Sequence, residues 1–186
     1  MELLKSGSDF STSIEKAFDE IDPKWRDYVG MVALGTHSPE DIDLKLNRIQ
    51  FAREHKIPFL GICMGMQLMA IEYARNVLEL KEANTQEVDP KADLIVKMPN
   101  LRVGIFDVEG RMESHWHNYK FNNDYIPLFK DWDMVMTQGV VEEMMRDLMA
   151  GVQYHPEYQS SKQKPHPLLK TFLTICKQYT KLIPRV

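Results

Sequence analysis

The chain divides into apolar runs separated by polar, turn-rich stretches, and the spacing inside each run predicts its element. Phe10, Ile14, Ala17, Phe18 and Ile21 recur at helical intervals, and Pro23 closes that segment. "YVGMVALG" (28–35) is a continuous apolar run ending at glycine, the pattern of a strand buried on both faces. "SPEDIDLKLNRIQFAREH" opens with a serine cap, a proline in the first turn and early acids; Ile42, Leu46, Ile49 and Ala52 then stripe one face. A helix is expected there. "IPFLGI" reads as a second buried strand and "MGMQLMAIEYARNVLEL" as a second long helix. Strand, helix, strand, helix at these lengths predicts a parallel sheet with covering helices, an α/β fold.

Beyond residue 88 the periodicity loosens. "LRVGIFDVEGRM" suits a hairpin, "WDMVMTQ" and "LMAGVQY" read as further strands, and "HPLLKTFLTICKQYTKLI" as a closing helix. That helix places Cys176 on an apolar face with Leu169, Phe172 and Leu173, a structural position for a cysteine.

Length and composition add few constraints. At 186 residues the expectation is one domain over 1–186, and 44% hydrophobic with 27% charged residues is ordinary for a globular protein. A net charge of -4 gives no electrostatic reason to expect nucleic acid or an anionic membrane. The densest basic stretch, Lys162 to Lys170, is broken by prolines and reads as a solvated loop. Two cysteines form no disulfide framework, neither has zinc-ligand spacing, and no run is long enough for a signal peptide or a bilayer span. A cytoplasmic protein with free thiols, and with no metal or cofactor, is the expectation.

Cys63 changes the picture. In "PFLGICMGMQ" it ends a predicted buried strand and begins a helix, with Gly61 two residues before and Gly65 two after. G-x-C-x-G at such a junction has the form of a nucleophile elbow, in which glycines let neighbouring backbone pass a tight turn. The side chain is then held at the carboxyl end of the sheet, and the helix amino terminus favours thiolate. On its own the motif leaves a structural cysteine and a presented nucleophile both open.

A thiol that attacks an amide needs a proton shuttle and a group to orient it. Of six histidines, His37, His55 and His166 fall in loops or on a polar helix face and are read as solvated. His115 and His117 alternate around Trp116 and are read as two exposed groups flanking a core residue. His155 directly follows the apolar strand "MAGVQY", and Glu157 lies two residues on across Pro156. Cys63, His155 and Glu157 make a candidate nucleophile, base and orienter.

"GICMGMQ" and "GVQYHPE" together resemble the two signatures of class I glutamine amidotransferase domains. "IEYARNVLELKEANTQE" (71–87), "LRVG" and "RMESHWHNYKFNN" are similar to the glutaminase domain of the CTP synthase family. The resemblance implies a flavodoxin-like, mostly parallel sheet with helices on both faces. It also implies release of ammonia from glutamine, or from a glutamine-like amide, through a γ-glutamyl thioester on Cys63. Met64, with Gly65 and Met66 beside it in the elbow, would supply an oxyanion N–H, and Gln67 and Glu87 would contact the substrate. Gly35 and Thr36 fall on the loop that carries the family's second oxyanion donor, where Thr36 replaces a glycine. Asn118 stands where the family has an arginine for the α-carboxylate. The family's domain opens with an apolar strand before its first helix, and "MELLKSG" is too short to supply it convincingly. No P-loop motif is present in these residues, so the implied domain is either excised from a longer chain or works with a separate synthetase subunit that accepts the ammonia. Two other readings stay open: an amide or γ-glutamyl hydrolase with a different substrate, and a non-catalytic binding module that keeps the fold.

Overall fold

A computed structural model describes residues 1–5, 10–35 and 41–183. The chain runs β1 (Glu2–Leu4), α1 (Phe10–Ile21), β2 (Met31–Ala33), α2 (Ile42–Glu54), β3 (Phe59–Ile62) and α3 (Met64–Asn76). It continues through β4 (Ile95–Val108), β5 (Arg111–Phe121), β6 (Asp133–Thr137), β7 (Val140–Arg146), β8 (Met149–Val152) and α4 (Pro167–Leu182). One sheet has the order β1-β2-β3-β8-β7-β6, and β4 and β5 form a separate hairpin. The first four strands of the sheet are parallel, while β7 and β6 run antiparallel.

Alternation along the strands builds two cores. Met31, Ala33 and Phe59 face the side covered by α2 and α3, where Leu46, Ile49, Met66 and Met69 are buried. Val32, Leu34, Leu60, Ile62 and Val152 face the other side with Ile14, Phe18, Leu169, Phe172 and Cys176 from α1 and α4. Both faces are covered, which is why the parallel strands read as unbroken apolar runs. The apolar stripes predicted on α1 and α2 are the faces that pack. The serine and proline expected to open α2 lie outside the described residues, and Asp41 holds its cap position.

Three local expectations need correction. A first strand is present: β1 pairs in parallel with β2, and Glu2 N–H donates to the Gly30 carbonyl at 2.9 Å. Three residues suffice because an edge strand needs only one row of partners, and Leu4 is buried against the core. Lys162 to Lys170 is not wholly loop, since α4 begins at Pro167. His166 is buried there rather than solvated. Its Nδ1 accepts from Leu168 N–H at 3.2 Å as the helix cap, and its Nε2 lies 3.0 Å from a Glu113 carboxylate oxygen.

The junction of β3 and α3 has almost no spare room. A Cβ on Gly65 would lie 2.0 Å from the Ala33 carbonyl oxygen, and one on Gly61 would lie 2.6 Å from the Gly65 backbone. These obstacles are backbone, so neither can swing aside as a side chain would. Gly65→Ala is therefore expected to cost about 1–3 kcal/mol or more, as other overpacked sites do. Thermal denaturation checks this; an unchanged Tm would show that the elbow yields freely.

Candidate active site

β3 and β8 are parallel neighbours, with Ile62 opposite Val152, so the residues that leave the two strands emerge together. Cys63 leaves β3 with φ 55 and ψ -111, in the left-handed half of backbone space that L-residues avoid. Such geometry costs on the order of 1–3 kcal/mol and persists only where its surroundings enforce it. Here Cys63 N–H donates to Val152 O at 2.7 Å, and Cys63 O accepts from Met66 N–H and Gln67 N–H at 3.1 and 3.3 Å. The strain turns a half-buried thiol out over the sheet edge at the amino end of α3.

His155 arrives from β8 through Gln153 and Tyr154, and its N–H is tied to Ser114 O of β5 at 2.7 Å. Pro156 opens the short 3-10 turn Pro156–Tyr158, which folds Glu157 back beneath the imidazole. His155 Nδ1 donates to Glu157 Oε1 at 2.7 Å, and both side chains are buried. Tyr158 stacks on the imidazole with ring centroids 5.2 Å apart. Burial opposes an imidazolium here, but the Cys63 sulfur and the Glu157 carboxylate flanking the ring outweigh it and raise the pKa of His155 to about 10. A Cβ on Gly35 would sit 3.4 Å from both Cys63 Cβ and His155 Cε1, so this glycine forms the roof over the pair.

In front of the thiol lies a cavity of about 130 Å³ lined by Gly35, Cys63, Met64, Gln67, Glu87 and Asn118, with Leu101, Trp116, His117 and Tyr119 from the hairpin. Gln67 Nε2 donates to Tyr119 O at 3.2 Å and to Gln153 Oε1 at 3.1 Å. Gln153 Nε2 in turn lies 3.7 Å from Cys63 Sγ, and the thiol points toward Trp116 O at 3.8 Å. Burial raises the pKa of the Glu87 carboxyl. A larger apolar cleft between α4 and the β7–β8 edge contains none of the three candidate catalytic residues.

A family model, glutamine amidotransferase class-I, matches residues 11–175. The chain belongs to that family. The chain is 35% identical over 199 residues to a CTP synthase of Sulfolobus acidocaldarius, and 36% identical over 181 residues to one of Treponema denticola. Those alignments cover 89% and 80% of this chain but 37% and 34% of the relatives, so the chain spans about a third of their length. Among solved structures, the Trypanosoma brucei CTPS glutaminase domain with bound acivicin superposes with a TM-score of 0.81 at 21% identity, covering 95% of this chain and 92% of that one. The shared fold is the flavodoxin-like, mostly parallel arrangement expected from the sequence.

Within the amidotransferase the predicted site residues are not all equally placed. Cys63, Met64, Gln67, Glu87, Gly35 and Asn118 meet at one cavity, with His155 and Glu157 against its thiol wall. Gly65 packs on Ala33, and Met66 is fully buried beneath Gly151, so neither lines the cavity. Thr36 and His37 lie outside the described residues. His115 and His117 reverse the expected pattern: both are buried, and Trp116 is 52% exposed. The hairpin turns its histidine face inward over β7, whose Glu142 and Glu143 are also buried. Arg102 pairs with Glu142 at 2.8 Å, and Arg111 pairs with Glu143. His117 Nδ1 donates to Tyr119 O at 2.9 Å, which leaves its Nε2 to accept from His115 Nδ1 at 3.3 Å. Burial, with Arg102 nearby, lowers the pKa of His115 to about 3 and that of His117 to about 4, so both are neutral linkers. The two belong to no cluster of three or more metal-ligating side chains among the described residues. Nor is any described helix long and apolar enough to cross a membrane.

Gln153, Trp116, His117, Tyr119 and Leu101 were not singled out from the sequence as site residues. Gln153 sits inside "GVQYHPE", and the others sit inside "LRVG" and "RMESHWHNYKFNN", stretches that carry the resemblance but no site chemistry of their own. The others reach the cavity only because the hairpin folds over the elbow.

Proposed function

We propose that this chain is a thiol amidohydrolase that releases ammonia from the γ-carboxamide of glutamine or a glutamine-like amide. The observation that carries the reading is His155, held at 2.7 Å by buried Glu157 and adjoining the strained Cys63. The Cys63 sulfur bonds to the γ-carbonyl carbon, and oxyanion charge develops beside the first backbone N–H groups of α3, Met64 among them. As the tetrahedral species collapses, the C–N bond breaks and the His155 imidazolium gives its proton to the departing nitrogen, which leaves as ammonia. Neutral His155 then takes a proton from water as that water attacks the thioester, giving the free acid and restoring the thiolate–imidazolium pair. Similarity to CTP synthases, of which this chain spans about a third, supports delivery of the ammonia to a synthetase domain.

The test is ammonia release from a panel of γ-carboxamides headed by L-glutamine, before and after iodoacetamide treatment. Alkylation is expected at Cys63 and not at Cys176, which is fully buried with its thiol pKa pushed up to about 12 by burial. Loss of ammonia release in step with Cys63 alkylation supports the reading. Turnover that survives complete alkylation, or no ammonia from any amide in the panel, overturns it.

A further inference from the structure

The charge of the cavity lining bears on which amide enters. Glu87 is the one Asp, Glu, Lys or Arg that lines it among the described residues. No described Lys or Arg lies within ion-pair distance of the Glu87 carboxylate. Burial raises its pKa, and no charge among the described residues offsets that rise. A half-buried carboxylate in that state is stabilised by an arriving cation and further strained by an arriving anion. Apart from the Cys63 sulfur, the remaining polar lining brings no charge: Gln67 Nε2 donates to Tyr119 and Gln153, and His117 is held by Tyr119 and His115. Asn118 can hydrogen-bond a carbonyl or amide but brings no charge to hold a carboxylate. The small volume, about 130 Å³, keeps any two charged groups of one ligand close to the same carboxylate.

We propose that the site selects small γ-carboxamides that carry a free ammonium group for Glu87 and whose α-carboxyl is masked as an amide, over free glutamine. This deepens the thiol-hydrolase reading above and rests on it. The free amino acid brings both charges: its ammonium is met by Glu87, while its carboxylate is desolvated beside that same anion with no cation to receive it. Masking the carboxylate removes the second interaction and leaves the first. Removing the ammonium does the reverse, and is unfavourable on both counts.

The experiment compares ammonia release from L-glutamine, L-glutamine N-methylamide and N-acetyl-L-glutamine, whose γ-carboxamide is the source of ammonia in each case. The methylamide is expected to exceed glutamine in kcat/KM by about tenfold or more, a difference of about 1.4 kcal/mol, and N-acetylglutamine to be the poorest. Two variants locate the cause. Glu87→Gln should bring the methylamide-to-glutamine ratio close to one, and Asn118→Arg should raise kcat/KM for glutamine relative to the methylamide by about tenfold. Should Asn118→Arg fold poorly, the Glu87→Gln ratio still decides. Glutamine turned over as well as or better than the methylamide, with Cys63 still required, overturns the selectivity and leaves the thiol mechanism standing. No ammonia from any of the three by folded protein overturns both.

Discussion

Cys63→Ala is expected to lower kcat for ammonia release by about 10⁴-fold or more, the scale on which loss of a nucleophile acts in triad hydrolases. The melting temperature should stay within a few degrees of the parent, because the thiol is half-buried and its contacts with Gln153 and Trp116 are long, at 3.7 and 3.8 Å. The second cysteine offers no substitute: Cys176 lies in the core beneath α4, on a different part of the sheet from His155. Nor can His155 be expected to activate water directly. The thiol contributes to its raised pKa, and without a thioester to form there is no stable acyl group for the water to attack. Steady-state ammonia release from glutamine and its N-methylamide measures the loss, with circular dichroism confirming the fold. Residual turnover above a few per cent would mean that the reaction does not pass through Cys63.

The meeting of Cys63 with His155 could be read from the sequence because each follows a short apolar run, and such runs become neighbouring strands of a parallel sheet. Their pairing, Ile62 opposite Val152, fixes the rest. What escaped the sequence lies where polar residues are buried. β7 carries "VVEEMMR", and Glu142 and Glu143 interrupt the apolar run that would have marked a strand. Both are nevertheless buried, because Arg102 and Arg111 come from the hairpin to meet them. His115 and His117 were assigned to the wrong face for the same reason. In a strand the side chains alternate, but alternation alone does not say which face turns inward. Here an exposed tryptophan and two buried histidines invert the usual assignment, with His115 Nδ1 bonded to His117 and His117 Nδ1 to Tyr119 O. Glu87 was reached by resemblance alone, because it lies between α3 and β4 where no periodicity ties it to the elbow.

Glu157→Gln tests whether the third member of the site acts on the proton of His155 or merely fills space. The amide is nearly the same size, and its oxygen can still accept the Nδ1–H that Glu157 now accepts at 2.7 Å, so the ring should remain in place. What disappears is a buried negative charge beside the imidazolium. Burial would then oppose the charged ring with only Cys63 against it, and the His155 pKa should fall from about 10. Since ammonia leaves by taking the imidazolium proton, and the value of about 10 belongs to the free enzyme, wild-type kcat/KM should decline only as pH rises toward 10. In Glu157→Gln that alkaline limb should move to lower pH, and kcat at neutrality should drop by about 10²–10⁴-fold. Linkage gives a second readout of the same charge. A histidine raised from 6.5 to about 10 stabilises the fold fully below 6.5, and that contribution is lost as pH rises through about 10. The stability gap between wild type and Glu157→Gln should therefore be widest at neutral and mildly acidic pH and should narrow above pH 10. Chemical denaturation across that range, set beside the pH profile of kcat/KM, gives the decision. A variant that keeps both the wild-type alkaline limb and a kcat within twofold would reduce Glu157 to a packing residue.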